Sequence, residues 1–160
     1  MDMTKKAQVL KPDPNFKWPE KASARLRMAV DDAIAAKRAG HGLDMRSWFD
    51  IDPRGIRCTV CLAGAVMLHV FGTPPPPDPR ANVYTERRDS LDPADLDDRD
   101  HEYLIQIDEI RRGHFYMYEG WPGQQLTELY DALGLDEHAT TIPALKKFYK
   151  LADYMEELGL

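Results

Sequence analysis

Ile56-Arg57-Cys58-Thr59-Val60-Cys61-Leu62-Ala63-Gly64-Ala65-Val66-Met67-Leu68-His69-Val70-Phe71 is apolar on every side and carries both cysteines of the chain. A surface helix shows an apolar stripe, whereas a segment greasy all round has to be enclosed by the rest of the protein. This stretch is therefore expected to be the central element of the fold. Its length and its Ala63-Gly64-Ala65 centre favour a helix over the rival strand, and the small side chains there let a neighbouring backbone approach closely.

Outward from this rod, the chain divides into helical segments. Upstream, Ala22, Leu26, Ala29, Val30, Ala33 and Ile34 recur on one face, and Gly40 and Gly42 close the segment. The link Leu43 to Asp50 alternates weakly and reads equally as a short strand or as a bend that turns Trp48 and Phe49 inward. Downstream, Gly72 and Thr73 lead into Pro74 to Pro77, which neither a helix nor a strand interior accepts, because proline lacks the amide donor. A Pro-rich loop over 73–91 is the consequence.

Asp92-Pro93-Ala94-Asp95 then supplies a helix N-cap, a first-turn proline and first-turn acids, matched by Arg111, Arg112 and Gly113 at the far end. After an aromatic bend at His114 to Trp121, Pro122 opens a helix with Leu126, Leu129, Tyr130 and Leu133 inward. Gly134 and Leu135 end it as a left-handed cap with an apolar clasp. A last helix starts at Thr141 or Pro143 and buries Leu145, Phe148, Tyr149, Ala152, Met155 and Leu158. The expected fold is all-α: one domain over 19–160, about five helices packed around the central apolar helix, preceded by an extended arm over 1–18 that Phe16 and Trp18 pin.

At 160 residues, a single domain buries roughly two-thirds of its unfolded surface without staples. Two cysteines and no apolar leader at the start lead to the expectation of a reducing, cytoplasmic setting. The apolar run Val60 to Leu68 falls far short of the roughly 20 residues a membrane span needs. The formal charge of −6 is uneven, since Glu86 to Glu102 holds eight acids against Arg87, Arg88 and Arg99. Lysines at 5, 6, 11, 17 and 21 are too dilute for tight phosphate neutralisation, so nucleic acid is not the expected partner.

Three features have a chemical vocabulary. Cys58-Thr59-Val60-Cys61 fits a redox pair, a zinc knuckle or two buried core thiols. Arg54 and Arg57 could supply the cation that a reactive thiol needs, but no strand-then-helix setting of the thioredoxin type is evident. His69 cannot complete a zinc site along one helix, because eight residues at 1.5 Å rise put it about 12 Å from Cys61. The acids Asp97, Asp98 and Asp100 lack the spacing and central glycine of a calcium loop, and so read as a solvated helix start or a negative docking face. Tyr116, Tyr118 and Trp121 concentrate aromatic area in the bend, either as filler beneath a loop or as a contact surface. No nucleophile elbow, phosphate loop or dinucleotide fingerprint is present in the sequence, and enzyme activity is unmotivated.

Cys58-x-x-Cys61-Leu62-Ala63-Gly64-Ala65-Val66-Met67, preceded by Trp48-Phe49, resembles a motif of small uncharacterised proteins from bacteriophages and prophages. The resemblance implies a small accessory protein that acts on a host or defence component, and it carries over no catalytic residue. The expected function is protein binding through Asp97, Asp98, Asp100, Tyr116, Tyr118 and Trp121, with no cofactor. The alternatives are a metal- or thiol-dependent protein using Cys58 and Cys61, with zinc as the cofactor, and a structural or assembly protein of a virion. The sequence does not specify the oligomeric state.

Overall fold

A computed structural model describes residues 15–43, 49–51, 58–71, 98–135 and 140–160. The Pro-rich loop, the Asp92-Pro93 helix start, most of the N-terminal arm and Trp48 lie outside these residues. Five helices make up the described fold, as the sequence periodicities lead one to expect: α1 (Ala22–Arg38), α2 (Leu62–Phe71), α3 (Asp98–Arg111), α4 (Gly123–Ala132) and α5 (Ile142–Glu157).

The greasy segment is not one helix throughout. Cys58–Val60 forms strand β3, between β1 (Gly42–Leu43), which runs parallel to it, and β2 (Phe49–Ile51), which runs antiparallel. Thr59 and Val60 are β-branched and prefer extended backbone, so the rival strand reading takes the first turn of the expected helix. Cys61 is the hinge between the two conformations. Its carbonyl accepts the Ala65 amide at 2.9 Å, and its Sγ accepts from the amides of Ala63 and Gly64, so the cysteine caps α2.

Cys61, Leu62, Ala63, Ala65 and Val66 are completely enclosed. The element with the widest set of helical neighbours, however, is α1, which packs on α5, α2 and α3. Four of its ten buried positions are alanine (Ala22, Ala29, Ala33, Ala36), short enough for several helices to close on it at once. At 100° per residue, its buried positions from Asp32 round to Ile34 cover roughly 200° of circumference, far wider than a surface stripe. Leu104, Ile107 and Ile110 of α3, Leu126 and Tyr130 of α4, and Leu145, Phe148, Leu151 and Met155 of α5 complete the core.

Four helices stop in the same way. After α1, α3, α4 and α5, a glycine with positive φ follows the last cap residue: Gly40, Gly113, Gly134 and Gly159. In α4, Gly134 donates to the Asp131 carbonyl at 3.0 Å and Leu135 to the Tyr130 carbonyl at 3.2 Å, the paired bonds of a left-handed glycine cap. Helix α5 begins on Thr141, whose Oγ1 accepts from the Ala144 amide, with Pro143 in its first turn. Helix α1 has no side-chain cap, and one of its first amides, Ser23, donates instead to the Leu160 carbonyl at 3.1 Å. None of the described helices is long and apolar enough to cross a membrane.

Candidate functional site: the aromatic knuckle after α3

The connection from α3 to α4 is built as a stiff knuckle. Gly113, at φ +75°, reverses the chain, and the His114 amide donates to the Glu109 carbonyl at 2.9 Å. The His114 ring also meets its own helix, Nδ1 lying 2.6 Å from Glu109 Oε2. Phe115 then plunges into the core, fully buried, with its ring edge-on to Tyr130 at 5.9 Å. At the far side, the Trp121 amide donates to the Tyr118 carbonyl at 3.2 Å across a turn whose third residue, Gly120, takes φ +82°. Pro122 (φ −77°, ψ 77°) follows as the centre of a three-residue turn closed by Gly123 N–H to Trp121 carbonyl at 2.9 Å.

Between these anchors, Tyr116 and Met117 stand out into water, 72% and 64% exposed. Tyr116 is not loose: its ring lies so close to Gly123 that a Cβ there would come within 2.7 Å of it. Tyr118 and Trp121 pack together at 4.6 Å between ring centres, and Trp121 also rests on the core. Burial first, then the carboxylates of Glu109 and Glu102, hold the Tyr118 hydroxyl above its ordinary pKa, with Arg25 opposing. The bend thus divides into foundation and contact area: Phe115, Tyr118 and Trp121 support, Tyr116 and Met117 protrude.

The acidic positions are divided too. Asp98 is exposed at the first turn of α3. Asp100 Oδ1 accepts the Trp18 indole N–H at 2.5 Å and so holds the N-terminal segment. Asp97 lies outside the described residues. Trp18 in turn packs edge-on to Phe16 and to Tyr103, and Phe16 edge-on to His69.

Cys61 sits where two influences favour a thiolate, a helix N-terminus and the nearby Arg111 guanidinium, but complete burial outweighs both and pushes its thiol up to about 11. Arg111 is itself committed. It forms a buried pair with Asp108 at 2.7 and 3.0 Å, and Arg112 reaches the other Asp108 oxygen at 3.2 Å. The Cys58 side chain lies outside the described set. Among the described residues, no three His, Cys, Asp or Glu side chains gather to hold a metal ion.

Three charged positions escape the sequence reading. Arg25 and Asp32 lie on the same edge of α1, seven residues apart, and both are buried. Arg25 donates to the Pro19 and Glu20 carbonyls and to Gln106 Oε1, and stacks 4.0 Å over the Tyr103 ring. Asp32 faces His69 at 3.7 Å, beyond hydrogen-bond range. The third, Asp108, looks from periodicity like one more polar residue of an acidic helix. Two charges at i, i+7 beside an apolar stripe are the only advance signal, and a weak one. Comparison of the chain with protein-family models, with curated proteins and with solved structures found no match.

Proposed function

We propose that this chain is a small protein-binding accessory factor whose contact element is the knuckle bearing Tyr116 and Met117. The observation that carries the reading is their pairing: two large side chains held in water on a connection whose two ends are locked by turns and a buried phenylalanine. Presenting apolar area on a rigid base lowers the ordering cost of association, and tyrosine and methionine both suit a partner's shallow pocket. Glu119 within the bend, with Asp98 and Glu102 exposed on α3, adds negative charge, so the matching surface is an apolar pocket with a basic rim. The bacteriophage-like motif and the lack of a catalytic signature in the sequence support a cytosolic factor acting on a host or defence protein.

A photo-crosslinking residue placed at Met117, with capture from a bacterial host lysate, tests this. The expected result is a discrete crosslinked partner whose affinity falls at least about tenfold in the Tyr116→Ala, Met117→Ala double variant, as hot-spot truncation does. Gly123→Ala, which pushes the Tyr116 ring off its seat while leaving it present, weakens the same interaction. A partner bound equally by wild type and both variants would overturn the proposal.

A further inference from the structure

A second surface lies on the opposite face of α1, independent of the knuckle. Helices α1 and α5 run antiparallel, since Arg27 near the start of α1 pairs with Asp153 and Glu156 near the end of α5, both at 2.7 Å. Beyond this ion pair the helices leave an open groove of about 590 Å³. Its floor is apolar: Ile34, Ala35, Ala39 and the ring of Tyr149. Arg38 and Lys146 form its rim.

The positive charge extends past the rim. Lys150 is exposed one turn along α5 from Lys146, and among the described residues no carboxylate pairs with Arg38, Lys146 or Lys150. The one acid in the groove, Asp31, accepts the Tyr149 hydroxyl. Arg38 lines the same groove, close enough for its charge to act on that hydroxyl. A chain of net charge −6 therefore keeps, around an apolar trough, cations that no carboxylate among the described residues pairs. Lys146 and Lys150 are one helical turn apart, about 6 Å along the axis, the same rise as two carboxylates at i and i+4 of a helical ligand.

We propose that the α1–α5 groove binds an acidic amphipathic peptide segment of a partner protein, its apolar side chains on Ile34, Ala35 and Ala39 and its carboxylates on Arg38, Lys146 and Lys150. The groove does not suit nucleic acid: its floor carries one ring, Tyr149, with its hydroxyl bound to Asp31, among aliphatic side chains, and so offers no run of stacking platforms. Peptide recognition of this kind reads spaced apolar anchors together with complementary charge.

The probe is a fluorescein-labelled helical peptide of about 16 residues with Leu on one face and Glu at i, i+4 positions, titrated against the full chain by anisotropy. Binding is expected at low salt, with amide shifts at Ile34, Ala35, Ala39 and Tyr149 by NMR. It weakens as salt rises, and falls at least about tenfold in Arg38→Glu, Lys146→Glu. Both substituted positions are exposed, so the variant folds, and Tyr116→Ala, Met117→Ala binds the probe as wild type does. No binding, equal binding of a Lys-for-Glu peptide or of a single-stranded oligonucleotide, or shifts confined to other elements would overturn the proposal. So would self-association of the unliganded chain that Arg38→Glu, Lys146→Glu abolishes, since the groove would then belong to a second copy.

Discussion

Asp32 sits on the edge of α1 that faces α2, 7% exposed, and its Oδ2 has no hydrogen-bond partner among the described residues. Burial first, then the Asp31 carboxylate, push its carboxyl up to about 8 from an ordinary 3.8. The folded chain therefore holds a neutral acid at neutral pH, while the unfolded chain ionises. Stability from this group is complete below the unfolded value and declines by about 1.4 kcal/mol per pH unit as pH rises toward the folded value, levelling off beyond it. Asp32→Asn keeps the shape without the ionisation, so urea denaturation across this range should give a flatter profile, with the largest gain at the alkaline end. A profile as steep as that of wild type would assign the pH dependence elsewhere. Cys61 follows the same physics in a thiol. With Cys58→Ala removing the other sulfur, Cys61 should resist a disulfide reagent at neutral pH until denaturant exposes it, whereas fast native labelling would revive the thiol-dependent reading. The burial of Cys61 is legible in its apolar surroundings. That of Asp32 is not, because a polar residue flanking an apolar stripe looks the same whether water or a second helix lies beyond it.

At the level of elements, the glycine that ends α3 does more than turn the chain. A Cβ on Gly113 would meet the Tyr130 ring at 3.0 Å, and that ring's hydroxyl donates to the Arg111 carbonyl two residues back. Gly120 has nearly the same φ, yet open space surrounds it. Both alanine variants bear the left-handed strain of about 1–2 kcal/mol, and Gly113→Ala adds the displacement of a buried ring. Thermal unfolding should place Gly113→Ala below Gly120→Ala by several degrees; equal melting temperatures would mean that Tyr130 moves aside freely. Helix stops of this kind were legible beforehand, as Gly40, Gly113, Gly134 and Gly159 each follow a helical apolar pattern. The break within 56–71 was not, because apolar residues satisfy a buried strand as well as a buried helix. What selects the strand at Cys58–Val60 is the pair of partners, β1 and β2, on either side of it.

Across the whole molecule, Arg25 ties three parts together: the segment entering α1, α1 itself and α3. Its guanidinium serves the Pro19 and Glu20 carbonyls at 2.9 and 2.7 Å as well as Gln106 and Tyr103. Replacing it with methionine preserves the stem but strands these acceptors, at a cost of about 1–3 kcal/mol. Hydrogen exchange should accelerate at residues 15–21 and along α3, and Arg25→Lys should not restore protection, because an ammonium lacks the planar fork and its stacking face. Unchanged exchange would show that Trp18 and Asp100 hold the segment alone. The helical class, the placing of most helices and most of their inward positions, though not Leu158, which is 40% exposed, follow from local periodicity and turn chemistry, which depend only on residues a few positions apart. The hub role of α1, the burial of Arg25, Asp32 and Asp108, the exposure of Tyr116 and Met117 beside a buried Phe115, and the cationic groove all depend on which surfaces end up facing each other. That is a property of long-range packing, in which residues distant along the chain set each other's access to water, and no local pattern encodes it.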